Sequence, residues 1–284
     1  YLAASPKRRE KKLGAKTLTL MEPYPGERPF AVQIFGKDPG MMADAARCAV
    51  DEGADIVDLN FGCPAKKVVK GGEGAGVALM RTPALLEEIA RRVVEAVEVP
   101  VTAKMRLGWS PEEKNGPEIA RRLEGCGVQA LCVHARTRNQ WHSGPVDLET
   151  LAAVCGAVSI PVIGNGGVRD AAGAREMIDR TGCQRVAVGQ AAKGNPWIFA
   201  ELAGRDGAPD LAARIAVCRR HLDLYVEWVG ERRAAIEMRK HACWYVKGFD
   251  NARRLRKRLG EAVDVAAFNR LLDEVEAPGP DDDH

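Results

Sequence analysis

Cys63 is the side chain with the most chemical promise in this sequence. It stands in Asn60-Phe61-Gly62-Cys63-Pro64, directly after an apolar run, and Gly62 and Pro64 force a turn that presents the thiol on a loop. A thiol so placed can act as a nucleophile or a proton donor. The other reading is a small buried apolar side chain, the usual fate of a free cysteine, and it is the one favoured for Cys48, Cys126, Cys132, Cys155, Cys183, Cys218 and Cys243. Lys104 and Arg106 close a second apolar run, AKMRLG. A lysine there is costly unless its ammonium has a partner, so it points either into a site or into an inter-strand ion pair. His134 and Arg136 end the next run in the same way. Gly164-Asn165-Gly166-Gly167 and Gly189-Gln190 end the last two runs, and glycines there let backbone N–H groups approach a phosphate closely. No His-Glu-x-x-His occurs and the five histidines are scattered, so no metal site is predicted.

Elements that repeat one rhythm must position these residues. Strands are predicted at Phe30–Phe35, Ala54–Asn60, Val99–Met105, Val128–His134, Val158–Gly164 and Gln184–Gly189, as near-continuous apolar runs suited to parallel strands buried on both faces. Helical patterns fall between them, at Met41–Glu52, Pro83–Ala96, Gly116–Cys126 and Ala171–Arg180. Alternating strands and helices specify an α/β fold with a parallel sheet. The nucleotide fingerprint of an open doubly wound sheet is missing: Gly71-Gly72-Glu73-Gly74-Ala75-Gly76 has the wrong spacing, and no phosphate loop ending in Gly-Lys-Ser/Thr occurs. The polar residues gather instead at the C-terminal ends of the strands, the face on which a (β/α)8 TIM-type barrel carries its chemistry. Six strands fall short of eight, so two β/α units are expected to be missing from the N-terminal side. The rhythm changes near residue 200, and 209–275 reads as three or four helices. The expected division is a barrel over 1–203, an all-α domain over 204–275 and a disordered tail over 276–284.

The 284 residues are 46% hydrophobic and 29% charged, ordinary values for a globular chain, which excludes disordered and collagen-like classes. No apolar run reaches the length of a membrane span, and Tyr1–Lys16 lacks the apolar stretch of a signal peptide. The eight cysteines contain no Cys-x-x-Cys pair and are read as reduced thiols of a cytoplasmic protein. Net charge is only +3, but 211–260 holds 13 Lys and Arg against 5 Asp and Glu. Such a run is either a solvated face or a patch for a polyanion.

In order and content, these stretches resemble the tRNA-dihydrouridine synthase family, nearest its B-type bacterial branch. The resemblance is carried by Val57–Lys67 (VDLNFGCPAKK), Val101–Gly108 (VTAKMRLG), His134–Gly144 (HARTRNQWHSG), Pro161–Gly167 (PVIGNGG) and Val188–Phe199 (VGQAAKGNPWIF), and by Glu231–Gly248 with Leu255-Arg256 in the helical part. It implies a flavin reductase that converts uridine to 5,6-dihydrouridine in tRNA: NADPH reduces FMN, hydride passes to C6 of uracil, and Cys63 protonates C5. It further implies FMN contacts from Gln33, Lys104, His134, Asn165, Gly166, Gly167, Gly189 and Gln190. Asn60 and Arg136 would lie near the flavin or the incoming base, and Arg239, Lys240 and Lys247 would be substrate contacts in a helical domain that grips the tRNA backbone. The expected assembly is a monomer. Members commonly read Asn-Gly-Asp and Gly-Arg where this chain reads Asn165-Gly166-Gly167 and Gly189-Gln190, so its phosphate clamp is expected to carry less charge. Two other readings remain at this stage: a flavin barrel reducing a small enone or pyrimidine, and a non-catalytic tRNA-binding protein.

Overall fold

A computed structural model describes residues 21, 23–205, 209–247 and 252–276. The basic segment 7–12, and all but Glu276 of the expected tail, lie outside the described residues. The described residues form two compact units, one of 21–168 with 172–187 and one of 169–171 with 188–276.

In the first unit six strands pair in chain order, all parallel: β1 (Ala31–Ile34), β2 (Ile56–Phe61), β3 (Val101–Arg106), β4 (Ala130–His134), β5 (Val162–Asn165) and β6 (Arg185–Ala187). The returns between them include α1 (Pro39–Asp51), the single turn α2 (Lys66–Val69), α3 (Pro83–Val94), α4 (Gly116–Gly125), α5 (Leu148–Cys155) and α6 (Ala171–Thr181). Sequential parallel order with a helix in each return is the wall of a (β/α)8 TIM-type barrel. Helix starts follow from local chemistry. Asp38 accepts the Met41 N–H at 2.8 Å ahead of Pro39 at the head of α1, and Asp147 accepts the Thr150 N–H at 2.9 Å to start α5. Helix α5 went unremarked in the sequence because LETLAAVC is too uniformly apolar to show a polar face.

The strands are not apolar on both faces. Val32, Ile34, Val57, Leu59, Phe61, Val101, Ala103, Met105, Leu131, Val133 and Val162 are buried in alternation along the strands. The helices supply Met42, Ala46, Leu86, Ile89, Val93, Ile119, Leu123, Leu151 and Val154 to the same core. Each large aliphatic chain there stabilises the unit by about 1.5–3 kcal/mol relative to exposure. The intervening positions turn the other way and are polar. Register stacks them into layers: Gln33 beside Asp58, Asn60 beside Lys104, Lys104 beside Cys132, Arg106 beside His134, and His134 beside Asn165. Period-two alternation therefore turns IVDLNF and VTAKMR into an apolar outer face and a polar inner wall.

The second unit is all helical after a short 3₁₀ turn at Gln190–Ala192, with α7 (Ile198–Leu202), α8 (Leu211–Val229), α9 (Glu231–Tyr245), α10 (Ala252–Glu261) and α11 (Val265–Glu276). Its core is Ile215, Cys218, Leu222, Ala235, Met238, Ala242, Leu259, Phe268 and Leu272. Asp210 caps α8 through the Ala213 N–H at 2.7 Å, and Asp264 caps α11 through the Ala267 N–H at 2.6 Å. Arg219 ties α8 to α11 through Asn269 and Asp273.

Candidate functional site

The loop after β2 holds Cys63 by its backbone. The N–H groups of Gly62 (3.1 Å) and Cys63 (2.9 Å) both donate to Asn60 Oδ1. The Gly62 carbonyl accepts from Arg106 Nε at 3.0 Å, and the Cys63 carbonyl accepts from the Val77 N–H at 3.3 Å. Gly76 makes the last approach possible. Its φ is +65°, and a Cβ there would lie 2.7 Å from the Cys63 carbonyl oxygen and 3.2 Å from Cys63 Cβ. The thiol is half-buried and all eight cysteines are free.

Arg106 is the anchor of this region. Only 2% of it is exposed, and its Nη1 donates to the carbonyls of Thr137 (2.9 Å) and Trp141 (2.7 Å) while Nε holds Gly62. One guanidinium thus joins the Cys63 loop to the loop after β4. Burial first, then the charge of Arg136, pulls its pKa down to about 10, with Cys63 acting in the opposite direction; it stays a cation at neutral pH.

Lys104 lies two residues earlier on the same face. Its Nζ donates to Asn165 Oδ1 at 3.1 Å, and Asn165 Nδ2 donates on to the Ala187 carbonyl at 2.8 Å. Burial lowers the Lys104 pKa; Cys132 and Asp58 oppose that and Arg106 adds to it. The hydrogen-bond partner is an amide rather than the carboxylate of an ion pair. Two of the three ammonium protons are left for another acceptor.

His134 is buried, and Arg136 Nη1 lies 3.2 Å from its Nε2. A guanidinium can only donate, so Nε2 accepts and the imidazole is neutral. Burial, followed by Arg106, Lys104, Arg136 and His142, holds its pKa down to about 3. His142 stacks on it with ring centroids 5.8 Å apart. Arg136 also donates to the Gly144 carbonyl through Nε (3.1 Å) and Nη2 (2.8 Å). Gly166 crosses this pair at φ +106°, where a Cβ would be 2.6 Å from His134 Cδ2 and 3.3 Å from Arg136 Nη1. Gly167 follows at φ +77°. The wall therefore gathers Gln33, Asn60, Cys63, Lys104, His134, Arg136, Asn165, Gly166 and Gly167 at the C-terminal ends of neighbouring strands.

The remaining candidates belong to the second unit. Gly189 and Gln190 open it, and Lys193 Nζ reaches Gln190 Oε1 at 3.4 Å. Lys193 and Lys240 lie over the Trp244 ring, 4.9 and 5.2 Å from its centroid. Gly194 fits against the backbone of α9, where a Cβ would be 2.4 Å from the Trp244 carbonyl carbon. Arg239 Nε donates to the Ala262 carbonyl at 2.7 Å, which ties it into the helical core, while Lys240 and Lys247 are exposed.

Residues 7–277 match the family described as Dihydrouridine synthase (Dus). The chain belongs to the dihydrouridine synthase family. It is 42% identical over 253 residues to tRNA-dihydrouridine synthase B of Pseudomonas aeruginosa, covering 87% of this chain and 73% of that one. It is 45% identical over 226 residues to tRNA-dihydrouridine synthase B of Shewanella oneidensis, covering 76% and 68%. A probable tRNA-dihydrouridine synthase of Rhizobium leguminosarum is 41% identical over 229 residues, covering 79% and 70%. The family is one of oxidoreductases on a TIM barrel, so the barrel and the helical region after it agree with the fold expected from the sequence.

Sequence reasoning left three residues of this candidate site without a role: Asp58, Gly76 and Arg106. The signal for two of them was present. Asp58 is two residues before Asn60 and Arg106 two after Lys104, so strand periodicity puts each on the wall with its neighbour. Gly76 had no local signal, since its need for glycine comes from Cys63, distant in sequence. Among the described residues no group of three or more His, Cys, Asp or Glu could hold a metal ion, and no helix is long and apolar enough to cross a membrane.

Proposed function

We propose that this chain reduces uridine to 5,6-dihydrouridine in tRNA, with FMN as cofactor, NADPH as reductant and Cys63 as the acid. The observation that carries the reading is a half-buried thiol fixed by four backbone hydrogen bonds at the mouth of a polar wall. That wall also supplies a half-buried ammonium with protons to spare.

The residues fit a flat, anionic, hydrogen-bonding cofactor. Lys104 offers its remaining protons, neutral His134 presents an uncharged ring, and Gly166 and Gly167 leave backbone open where a Cβ could not stand. FMN would be held by Lys104, His134, Asn165, Gly166 and Gly167, with Gln33 contributing its second Nε2 proton. When bound and reduced by NADPH, FMN supplies the hydride for C6 of the uracil. Cys63 holds a proton on Sγ for C5, and the pinned loop fixes where that proton is delivered. Asn60 orients the loop, and Arg136, held to Gly144, is proposed to lie near the flavin or the incoming base.

In this reading the first unit carries the chemistry, and the helical second unit grips tRNA phosphates through Lys240, Lys247 and Arg239. Free thiols throughout suit the reducing cytoplasm. The deciding experiment is Cys63→Ala with flavin absorbance and dihydrouridine content of tRNA read on the same preparation. The variant is expected to keep its flavin band and lose at least 100-fold in product formation. Unchanged product yield removes Cys63 as the acid, and a wild-type chain that neither holds flavin nor modifies tRNA refutes the reading.

A further inference from the structure

Asp58 lies on the inner wall two residues before Asn60. It accepts two short hydrogen bonds: Thr102 Oγ1 donates to Oδ1 at 2.6 Å, and Gln33 Nε2 donates to Oδ2 at 2.6 Å. The other end of Gln33, Oε1, accepts from Asn60 Nδ2 at 2.7 Å. Asn60 Oδ1 in turn takes the N–H groups of Gly62 and Cys63.

Read from the loop inwards, the direction of every bond on this path is forced. Backbone N–H groups only donate, so Asn60 must turn its oxygen to the loop and its NH₂ away. That NH₂ meets Gln33, which must answer with its oxygen and turn its own NH₂ towards Asp58. The loop fixes Asn60, but Gln33 can still turn away from it at little cost until its far end is held as well. A carboxylate fixes it, because it can only accept. We propose that Asp58 is a positioning residue for Cys63, acting through Gln33 and Asn60 as a hydrogen-bond chain of set direction. Register explains why the parts meet: Gln33 stands beside Asp58 and Asp58 beside Thr102 on adjacent strands. The inference deepens the function proposed above, since the chain bears on catalysis only if Cys63 is the acid.

The test uses the purified chain without flavin or tRNA. It reads hydrogen exchange in peptides spanning 58–66 and the rate at which Cys63 reacts with iodoacetamide, followed by peptide mass spectrometry. Asp58→Leu keeps the bulk and removes the acceptor. Exchange at Gly62 and Cys63 is expected to rise at least tenfold and the alkylation rate at least threefold. Asp58→Asn is expected to stay near wild type, because its oxygen can face Gln33 while its NH₂ donates to Thr102, whose hydroxyl turns to accept. Gln33→Ala, at an exposed position that tolerates truncation, is expected to reproduce the Asp58→Leu result, and the double variant to exceed neither single one. Exchange within twofold of wild type in Asp58→Leu or Gln33→Ala overturns the proposal. So does an Asp58→Asn chain as loose as Asp58→Leu, or an additive double variant. Loss of dihydrouridine formation in a wild-type protein whose loop exchange follows this pattern counts against the proposed function and not against the chain.

Discussion

Replacing Arg106 by methionine tests whether one buried cation holds the candidate site together. The side chain donates to three carbonyls, those of Gly62, Thr137 and Trp141, at 2.7–3.0 Å. Hydrogen bonds to a charged group contribute about 1.5–3 kcal/mol each, so their loss would cost roughly 4–9 kcal/mol taken alone. Against this stands the penalty for keeping a guanidinium 2% exposed, which is several kcal/mol and vanishes in the variant. The net destabilisation expected is about 3 kcal/mol, and methionine fills most of the space, so little of it comes from a cavity. Arg106→Lys keeps the charge but not the fork and is expected to lose about 1–2 kcal/mol. Tryptophans occur in both compact units, so fluorescence would mix two transitions. Urea dependence of hydrogen exchange at the buried amides of β3 reports the first unit alone. Because Gly62 is one of the three partners, both variants are also expected to speed Cys63 alkylation. A Met variant within 0.5 kcal/mol of wild type, with alkylation unchanged, would refute the assignment of Arg106 as anchor.

Two further perturbations follow from the same geometry. Gly76→Ala puts a Cβ 2.7 Å from the Cys63 carbonyl at φ +65°, so it is expected to cost about 1–2 kcal/mol in backbone strain alone. It should also free the Cys63 carbonyl from Val77, raising exchange of the Val77 amide; a variant as protected as wild type contradicts the packing described. For pH, His134 is neutral in the fold down to about 3 but takes a proton near 6.5 when unfolded, so the unfolded state binds more protons between those values. Stability of the first unit is then full above pH 6.5 and falls as pH drops, by about 2 kcal/mol at pH 5. Asp147 adds to the acid limb only lower down. Burial alone would raise its pKa, but hydrogen bonds from Lys114 and Thr150 outweigh that and hold it to about 2, so its contribution is present above 3.8 and lost on the way to 2. His134→Gln is expected to flatten the pH 7 to 5 slope of β3 amide protection to under 1 kcal/mol, and an unchanged slope means that His134 is not the group responsible.

Strand positions, their parallel order and the helices after residue 209 were legible because β/α alternation and helical spacing are local signals. The inner wall was only half legible. Lys104, His134 and Asn165 announce themselves as polar residues at the ends of apolar runs, and Cys63 by its glycine and proline neighbours. Asp58 and Thr102 sit in mid-strand, where IVDLNF and VTAKMR look apolar on average; only the register that sets Gln33 beside Asp58 and Asp58 beside Thr102 gives them partners. Gly76 and Trp141 were beyond reach for a different reason. Each acts through its backbone on a residue distant in sequence, so side-chain type carries little of the information.

The wall also argues about ligand charge. Arg106 hydrogen-bonds to the carbonyls of Gly62, Thr137 and Trp141, and Lys104 to the amide oxygen of Asn165. A fold selected only for stability would set a carboxylate against such cations or replace them with apolar chains, since a buried charge is costly. Asp58, the acidic group on this wall, is occupied by Gln33 and Thr102. His134 contributes no charge, because adding one beside Lys104, Arg106 and Arg136 is what holds its pKa down after burial itself. The surplus is thus positive and half-buried, and it stands on the face where the strands end. An anionic, hydrogen-bonding guest relieves it. Such a guest should stabilise the first unit more at low salt than at high salt, whereas an uncharged one would show no such dependence. That difference can be read from β3 exchange with and without FMN at two ionic strengths. A flavin that protects β3 equally at both would place its charge away from Lys104 and remove the electrostatic part of the cofactor assignment.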